Sequence, residues 1–392
     1  MKQKWKTFDF ILIFTPIMLT LFGIVMIYSA SMVIAVKSGD PANYYMVKQI
    51  QWFMIGLGLF IFCSFFNYRH YQKLMKFIVG ILIIMLVLVL FEDPVKGAKS
   101  WLYIGGFSIQ PAEFVKLGLI MYLASVYSKK QHYISHFGTA VLPPLVMTGI
   151  LLGLITLQPD IGTAAIIFLI ACSVIFSSGI KIRHLSLLII AGLVFIVIAG
   201  VNMLDSERLS RFSGAYQPFL DAEDSGYQLI QSYLAIGTGG IDGLGLGQSI
   251  QKLGYLTEAH NDFIMAIIAE ELGFVGVAIV LSLIAIIVLR GLYIASKCND
   301  TFGSLLAIGI SSMIGVQTFI NLGSISGLLP ITGVTLPFVS YGGSSLLVLL
   351  ISMGILNNIA RHVKKARLEP NMENEQIPYD EVSKKIRRVQ MQ

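Results

Sequence analysis

Residues 225–273, SGYQLIQSYLAIGTGGIDGLGLGQSIQKLGYLTEAHNDFIMAIIAEELG, carry His260 and Asp262 on a glycine-dense, polar loop to the mouth of an apolar helix. An aspartate at such a boundary between water and lipid suits one of two jobs. It caps the helix that follows, because Asn261 and Asp262 stand directly before the apolar run. Otherwise it serves as a general base that takes a proton from a hydroxyl of an amphiphile. The glycine run GTGGIDGLGLG lacks the preceding strand and the βαβ unit of a dinucleotide fingerprint. It reads as a backbone nest for an anion or as a tight turn without a ligand.

Other charged residues fall where charge is costly. Glu113 and Lys116 follow Gln110-Pro111 inside an apolar window. Each would cost about 2.5–3.5 kcal/mol at the centre of a membrane helix without a partner. Their i, i+3 spacing puts them on one face, as a neutralising ion pair, as groups facing a polar cavity, or as both. Asp160, in the corner Gln158-Pro159-Asp160, reads as a helix cap. Glu270 and Glu271 lie about two turns into the span that starts at Asp262, and their role is open. Arg208 and Arg211 offer planar forks suited to phosphate, or else a solvated cluster with Asp205, Glu207, Asp221, Glu223 and Asp224.

The elements that must position these residues are membrane helices. The chain has 392 residues, 55% hydrophobic and only 13% charged, too apolar for a soluble domain. Windows of the length that crosses a bilayer recur at 9–34, 47–66, 75–91, 109–128, 138–157, 160–179, 185–204, 262–289, 302–322 and 340–360. This predicts an all-α polytopic protein of about ten spans. Most of the 28 lysines and arginines fall on one side if the N-terminus is cytoplasmic, so the net charge of +6 reflects topology and not nucleic-acid binding. Cys63 and Cys172 fall within spans and Cys298 on the cytoplasmic side, which excludes a disulfide framework.

Two outward loops are long, about 92–108 and 205–261; the second, between helices 7 and 8, is long enough to signal function. Within it Leu229, Ile230, Tyr233 and Leu234 are predicted to line one face of a short amphipathic helix. Pro330, Pro337 and Gly342-Gly343 demand a non-helical, re-entrant segment before the last span. If the amphiphile is a sugar on a lipid pyrophosphate, the leaving group departs once cations stabilise its charge. One carboxylate to deprotonate the acceptor then suffices.

The motifs QPAEFVK, QPDIGTA, GYQLIQS, GLGLGQSIQKLGYLTEAHNDFIMAIIAEELG and GLLPITGVTLPFVSYGGSS, in this order over residues 9–365, resemble the SEDS family (shape, elongation, division and sporulation) of FtsW and RodA. The GQSIQKLGYL and TLPFVSYGGSS segments look closer to the division type of Gram-positive bacteria. Thr257, Asn261 and the segment KGAKSW depart from the usual pattern, and Asp262 is kept. The resemblance implies a transmembrane domain over 1–366, with 367–392 a disordered cytoplasmic tail. It implies an enzyme that polymerises lipid II into β-1,4 glycan strands outside the cytoplasmic membrane and releases undecaprenyl diphosphate. Asp262 is then the catalytic base, with substrate-binding residues at Glu113, Lys116, Asp160, Arg211, Gln228, His260 and Ser340. The implied partner is a class B penicillin-binding protein of the division or elongation machinery. No cofactor is required; a divalent cation, Mg or Mn, could assist the leaving group, with no ligand set readable. A lipid II flippase and a non-catalytic division scaffold are the competing readings.

Overall fold

Uninterrupted apolar runs become helices because backbone polar groups in a bilayer find partners only within the segment itself. A computed structural model of the protein describes residues 7–94, 98–134, 136–180, 186, 190, 192 and 214–389, with side chains up to Arg367 apart from those of Ile104 and Phe107. The helices are α1 (Phe10–Lys37), α2 (Tyr44–Phe65), α3 (Arg69–Leu88), α4 (Pro111–Lys129), α5 (Leu142–Thr156), α6 (Ile161–Ser177), α7 (Tyr227–Gly239), α8 (Ile264–Lys297), α9 (Thr301–Ile325) and α10 (Gly343–Val389). Among the described residues, seven helical segments are long and apolar enough to cross a membrane, and α6 is a shorter apolar helix. The predicted window 185–204 lies almost wholly outside the described residues. This is a multi-pass membrane protein.

α9 and the first half of α10 form the buried centre. The outer faces of α1, α2, α3 and α8 expose Phe14, Phe62, Phe77, Phe274 and Leu289, an apolar girdle that only lipid would cover. Three glycines let α2 and α10 approach closely. A Cβ at Gly354 would meet Phe60 O at 2.6 Å, and Gly56 and Gly343 are as tight against Leu350 and Trp52. The segment just before α1 meets α8 and α10 at one face, where Lys364 Nζ donates to Phe8 O at 2.7 Å and Arg290 grips Asp9 Oδ2 at 2.7 and 3.0 Å. α10 runs on as helical backbone to Val389, through polar residues whose composition predicts disorder.

The first outward loop holds a two-stranded antiparallel hairpin, β1 (Leu102–Ile104) and β2 (Phe107–Ile109), with Leu102 opposite Ile109. The segment 327–342 is non-helical and dips into the protein, burying Val334, Leu336, Phe338, Val339 and Ser340. Gly23 of α1 and Gly162 of α6 admit it, since a Cβ at either would sit 2.6 Å from Val339 O or 2.5 Å from Thr332 O.

Candidate active site around Asp262

Asp262 lies two residues before α8, whose N-cap position is Phe263 and carries no side-chain cap. The N-cap position thus falls one residue after Asp262. What holds Asp262 is a side chain from another helix. Asn321 of α9, 1% exposed, donates through Nδ2 to Asp262 O and to Val334 O, both at 2.7 Å. One amide thus ties the outward loop to the re-entrant segment. Gly333 passes close by: a Cβ there would lie 3.6 Å from Asp262 Oδ2.

The neighbours of Asp262 are fixed by the same segment. Ser340 Oγ donates to Asn261 O at 2.6 Å and accepts from Leu336 N at 2.8 Å, while Tyr341 N donates to His260 O at 2.9 Å. His260 is buried between the rings of Tyr45 (centroids 4.4 Å) and Tyr341 (5.7 Å). Gln49 of α2, fully buried, donates to Ser340 O at 3.2 Å and accepts from Gly342 N at 3.3 Å. The structure thus brings His260, Asp262 and Ser340 together.

Glu113 and Lys116 join them through α9. Lys116 Nζ lies 2.8 Å from Glu113 and donates to Gln317 Oε1 at 3.0 Å, with the lysine 2% exposed. Gln317 Nε2 in turn donates to Thr335 O at 3.0 Å and to Ser345 Oγ at 3.3 Å. Gln317 and Asn321 are one helical turn apart, about 6 Å along the axis. One face of α9 therefore reads both the buried cation and the backbone of Asp262.

Asp160 does cap α6, accepting from Thr163 N at 3.1 Å, and it also accepts from Gln110 Nε2 at 3.2 Å. Gln110 N donates to Ser344 Oγ at 3.0 Å. Asp160 and Lys116 thus converge, through one glutamine each, on the adjacent serines that open α10. Gln228 stands apart, bonded to Thr257 Oγ1 in the outward loop. Arg211 lies outside the described residues, as does Arg208.

The short helix expected in the loop forms as α7, and its protein-buried stripe is Leu229, Ser232, Ala235 and Gly239, while Leu234 is exposed. Small residues face inward because α7 packs backbone to backbone, and a Cβ at Gly239 would come within 1.9 Å of Ala269 O. The glycine run forms tight turns and is also a docking strip. α8 opens at Gly273 (φ 62°, ψ −163°). The carbonyls of Glu270 and Glu271 accept from Leu244 N and Gly245 N at 2.9 Å each, and Phe274 N and Val275 N donate to Gly240 O and Ile241 O at 3.0 and 3.4 Å.

The same contacts resolve Glu270 and Glu271. Glu270 accepts from Ser249 Oγ and from Ile250 N at 2.8 Å. Glu271, fully buried, pairs with Lys252 Nζ at 2.7 Å, and Ser29 Oγ of α1 donates to it at 2.7 Å. Both glutamates hold the loop that ends in Asp262. Sequence reasoning missed Gln49, Gln317, Asn321 and Lys252; polar residues at i, i+4 within the apolar window 302–322 were the available signal.

Among the described residues, no three His, Cys, Asp or Glu side chains gather where a metal ion could be held.

Comparison with known proteins agrees with this architecture. The family model described as "Cell cycle protein", of FtsW, RodA and SpoVE, matches residues 10–365. "Probable peptidoglycan glycosyltransferase FtsW" of Bacillus subtilis (strain 168) is 52% identical over 385 residues, 94% of this chain and 96% of that protein. "Stage V sporulation protein E" of the same organism is 39% identical, over 92% and 99%. Among solved structures, a chain from work described as "Structural coordination of polymerization and crosslinking by a peptidoglycan synthase complex" aligns with TM-score 0.75 at 29% identity, over 91% of this chain and 98% of that one. The Thermus thermophilus rod shape determining protein RodA aligns with TM-score 0.66 at 26% identity, over 90% and 97%. A ten-window membrane chain matched almost end to end by family model, sequence and fold alike belongs to the SEDS family of FtsW and RodA, and within it to the FtsW type.

Proposed function

We propose that the protein is a peptidoglycan glycosyltransferase of cell division, which polymerises lipid II into β-1,4 glycan strands on the outer face of the cytoplasmic membrane and releases undecaprenyl diphosphate. The observation that carries the reading is the placement of Asp262 at a helix mouth, its backbone clamped by Asn321 to a re-entrant segment that a buried lysine also steadies.

In this reading Asp262 takes the proton of the GlcNAc 4-hydroxyl of an incoming lipid II. That oxygen attacks the anomeric carbon of the growing strand, the bond to the pyrophosphate breaks, and the centre inverts to give the β linkage. Lys116 and Glu113 position the re-entrant wall through Gln317, and Lys116 supplies positive potential on the side of the departing pyrophosphate. Asp160 and Ser340 order the same wall, and His260 and Gln228 stand on the loop side of it; Arg211 is assigned to substrate binding on its guanidinium chemistry alone. A divalent cation, Mg or Mn, enters only as an ion carried by the substrate's pyrophosphate, because a magnesium ion is commonly held by one or two carboxylates plus phosphates.

The segment just before α1 meets α8 and α10 at one face and Asp262 occupies the other. With the basic residues of the termini and helix ends in the cytoplasm, Asp262 faces outward, where an acceptor strand and a class B penicillin-binding protein that crosslinks it would lie.

The test is a lipid II polymerisation assay in detergent, with wild type and Asp262→Ala, each alone and with a class B penicillin-binding protein that has no glycosyltransferase activity. Polymer from wild type and none from the variant supports the assignment. Undiminished polymer from Asp262→Ala removes Asp262 as the base. No polymer from a folded, partner-bound wild type, together with movement of labelled lipid II across sealed vesicles, turns the reading to transport.

A further inference from the structure

At the face opposite Asp262, where the segment just before α1 meets α8 and α10, a pocket of about 430 Å³ opens between the start of α3, the end of α8, the α8–α9 turn and α10. α8 separates the two faces: its 34 residues begin beside Asp262 and end at Lys297 on the pocket rim. At 1.5 Å per residue that is about 50 Å. The pocket shares no residue with the site described above.

Its lining is strongly cationic: Arg69, Lys297, Lys365 and Arg367, with His362 beside them. Asp300 is the one carboxylate among the lining residues, and it is already engaged. It accepts from Tyr68 Oη at 2.7 Å, caps α9 through Gly303 N at 3.3 Å, and holds Arg69 at 3.8 Å. With one carboxylate against four basic side chains the lining carries net positive charge, and Arg367 and Lys297 both gather at Tyr293, by a hydrogen bond and over its ring at 6.0 Å. The Tyr68 ring, 1% exposed, underlies the Arg69 guanidinium at 5.9 Å. This stacking holds the fork in a fixed attitude.

The surroundings are amphiphilic. On α8, Tyr293 and Leu289 precede Lys297 by one and two turns, and both are exposed, 45% and 65%. Cations therefore sit at the helix end, and apolar surface continues down the same face. A free phosphate needs only the first feature; a phospholipid uses both, with its phosphate between Arg69, Lys297 and Arg367 and its acyl chains along Leu289.

We propose that this pocket binds the headgroup of an anionic phospholipid, making the face opposite Asp262 a lipid-recognition site. The proposal is independent of the reaction assigned to Asp262.

The full chain is reconstituted in vesicles of equal parts phosphatidylglycerol and phosphatidylcholine, extracted gently, and the retained lipid is counted by native mass spectrometry. Wild type should retain phosphatidylglycerol over phosphatidylcholine. Lys297→Gln with Arg367→Gln, both exposed in the fold, should cut that preference at least about tenfold, the loss of one hydrogen bond to a charged phosphate in the pocket. The matched control, Lys73→Gln with Lys76→Gln on the exposed face of α3, should leave it unchanged. Equal losses from both pairs, or no preference in wild type, would overturn the site. Displacement of the lipid by inorganic phosphate at comparable concentration would overturn the lipid and leave only a small-anion site.

Discussion

The side-chain amide of Asn321 donates to the backbone carbonyl of Asp262 at 2.7 Å, and its second proton goes to Val334 O at the same distance. Asn321 lies 59 residues further along the chain. The position of the aspartate is thus set from α9, across two loop segments that share no secondary structure.

Asn321→Leu leaves both carbonyls without their donor, at about 1–3 kcal/mol each. Lipid II polymerisation should fall on the order of a hundredfold, the usual consequence of an ångström-scale misplacement of a catalytic group. Hydrogen exchange at residues 262–266 should rise well before the protein as a whole melts. Full activity with unchanged exchange would show that Asn321 does not position Asp262.

Glu113 and Lys116 call for a double-mutant comparison. Lys116→Met strands a buried carboxylate and should cost about 3–5 kcal/mol, seen as early aggregation on heating in detergent. Adding Glu113→Gln should restore much of that stability. If the restored double variant still makes no polymer, the pair serves the substrate as well as the fold.

The glycine strip gives a prediction at single-atom scale. Gly239→Ala places a methyl within 1.9 Å of Ala269 O and should undock the loop, with rapid proteolytic nicking between residues 240 and 262 and loss of polymer. Gly237→Ala, with no heavy atom within 4 Å of the added Cβ, should be indistinguishable from wild type in both assays.

Lys252→Met removes the cation from Glu271, which is 0% exposed, and should destabilise the loop by about 3–5 kcal/mol. Because the pair ties the loop to α8, with Ser29 of α1 donating to Glu271, protease sensitivity should rise around 249–256 and not in the helices. Uniform loss of stability would assign the pair to the helix bundle instead.

Much of this was legible in the residues. Asp262 announced itself as a carboxylate before an apolar run, and the prolines and glycines of 330–343 required the irregular segment that the structure shows. The inward face of α7 was not legible, because hydrophobicity marks Ile230 and Leu234, whereas Ser232, Ala235 and Gly239 face inward where the backbones come close. Glu270 and Glu271 had no reading because their partners are Ser249, Lys252 and Ser29, brought to them by the fold. Gln317 and Asn321 were hidden inside a window scored only for its apolar character.

The break in α8 at Gly273 divides that helix mechanically. Its upper turns, from Ile264 to Leu272, exchange main-chain hydrogen bonds with Leu244 and Gly245, and the residues just below the break do so with Gly240 and Ile241. Main-chain bonds thus laminate the loop to this helix, alongside the side chains of Glu270 and Glu271. Ile241, Leu246 and Ile250 project from this laminate with more than half their surface exposed. Load applied at those tips passes through these main-chain bonds into the turns that begin beside Asp262, so the loop works as a handle and the aspartate as its blade.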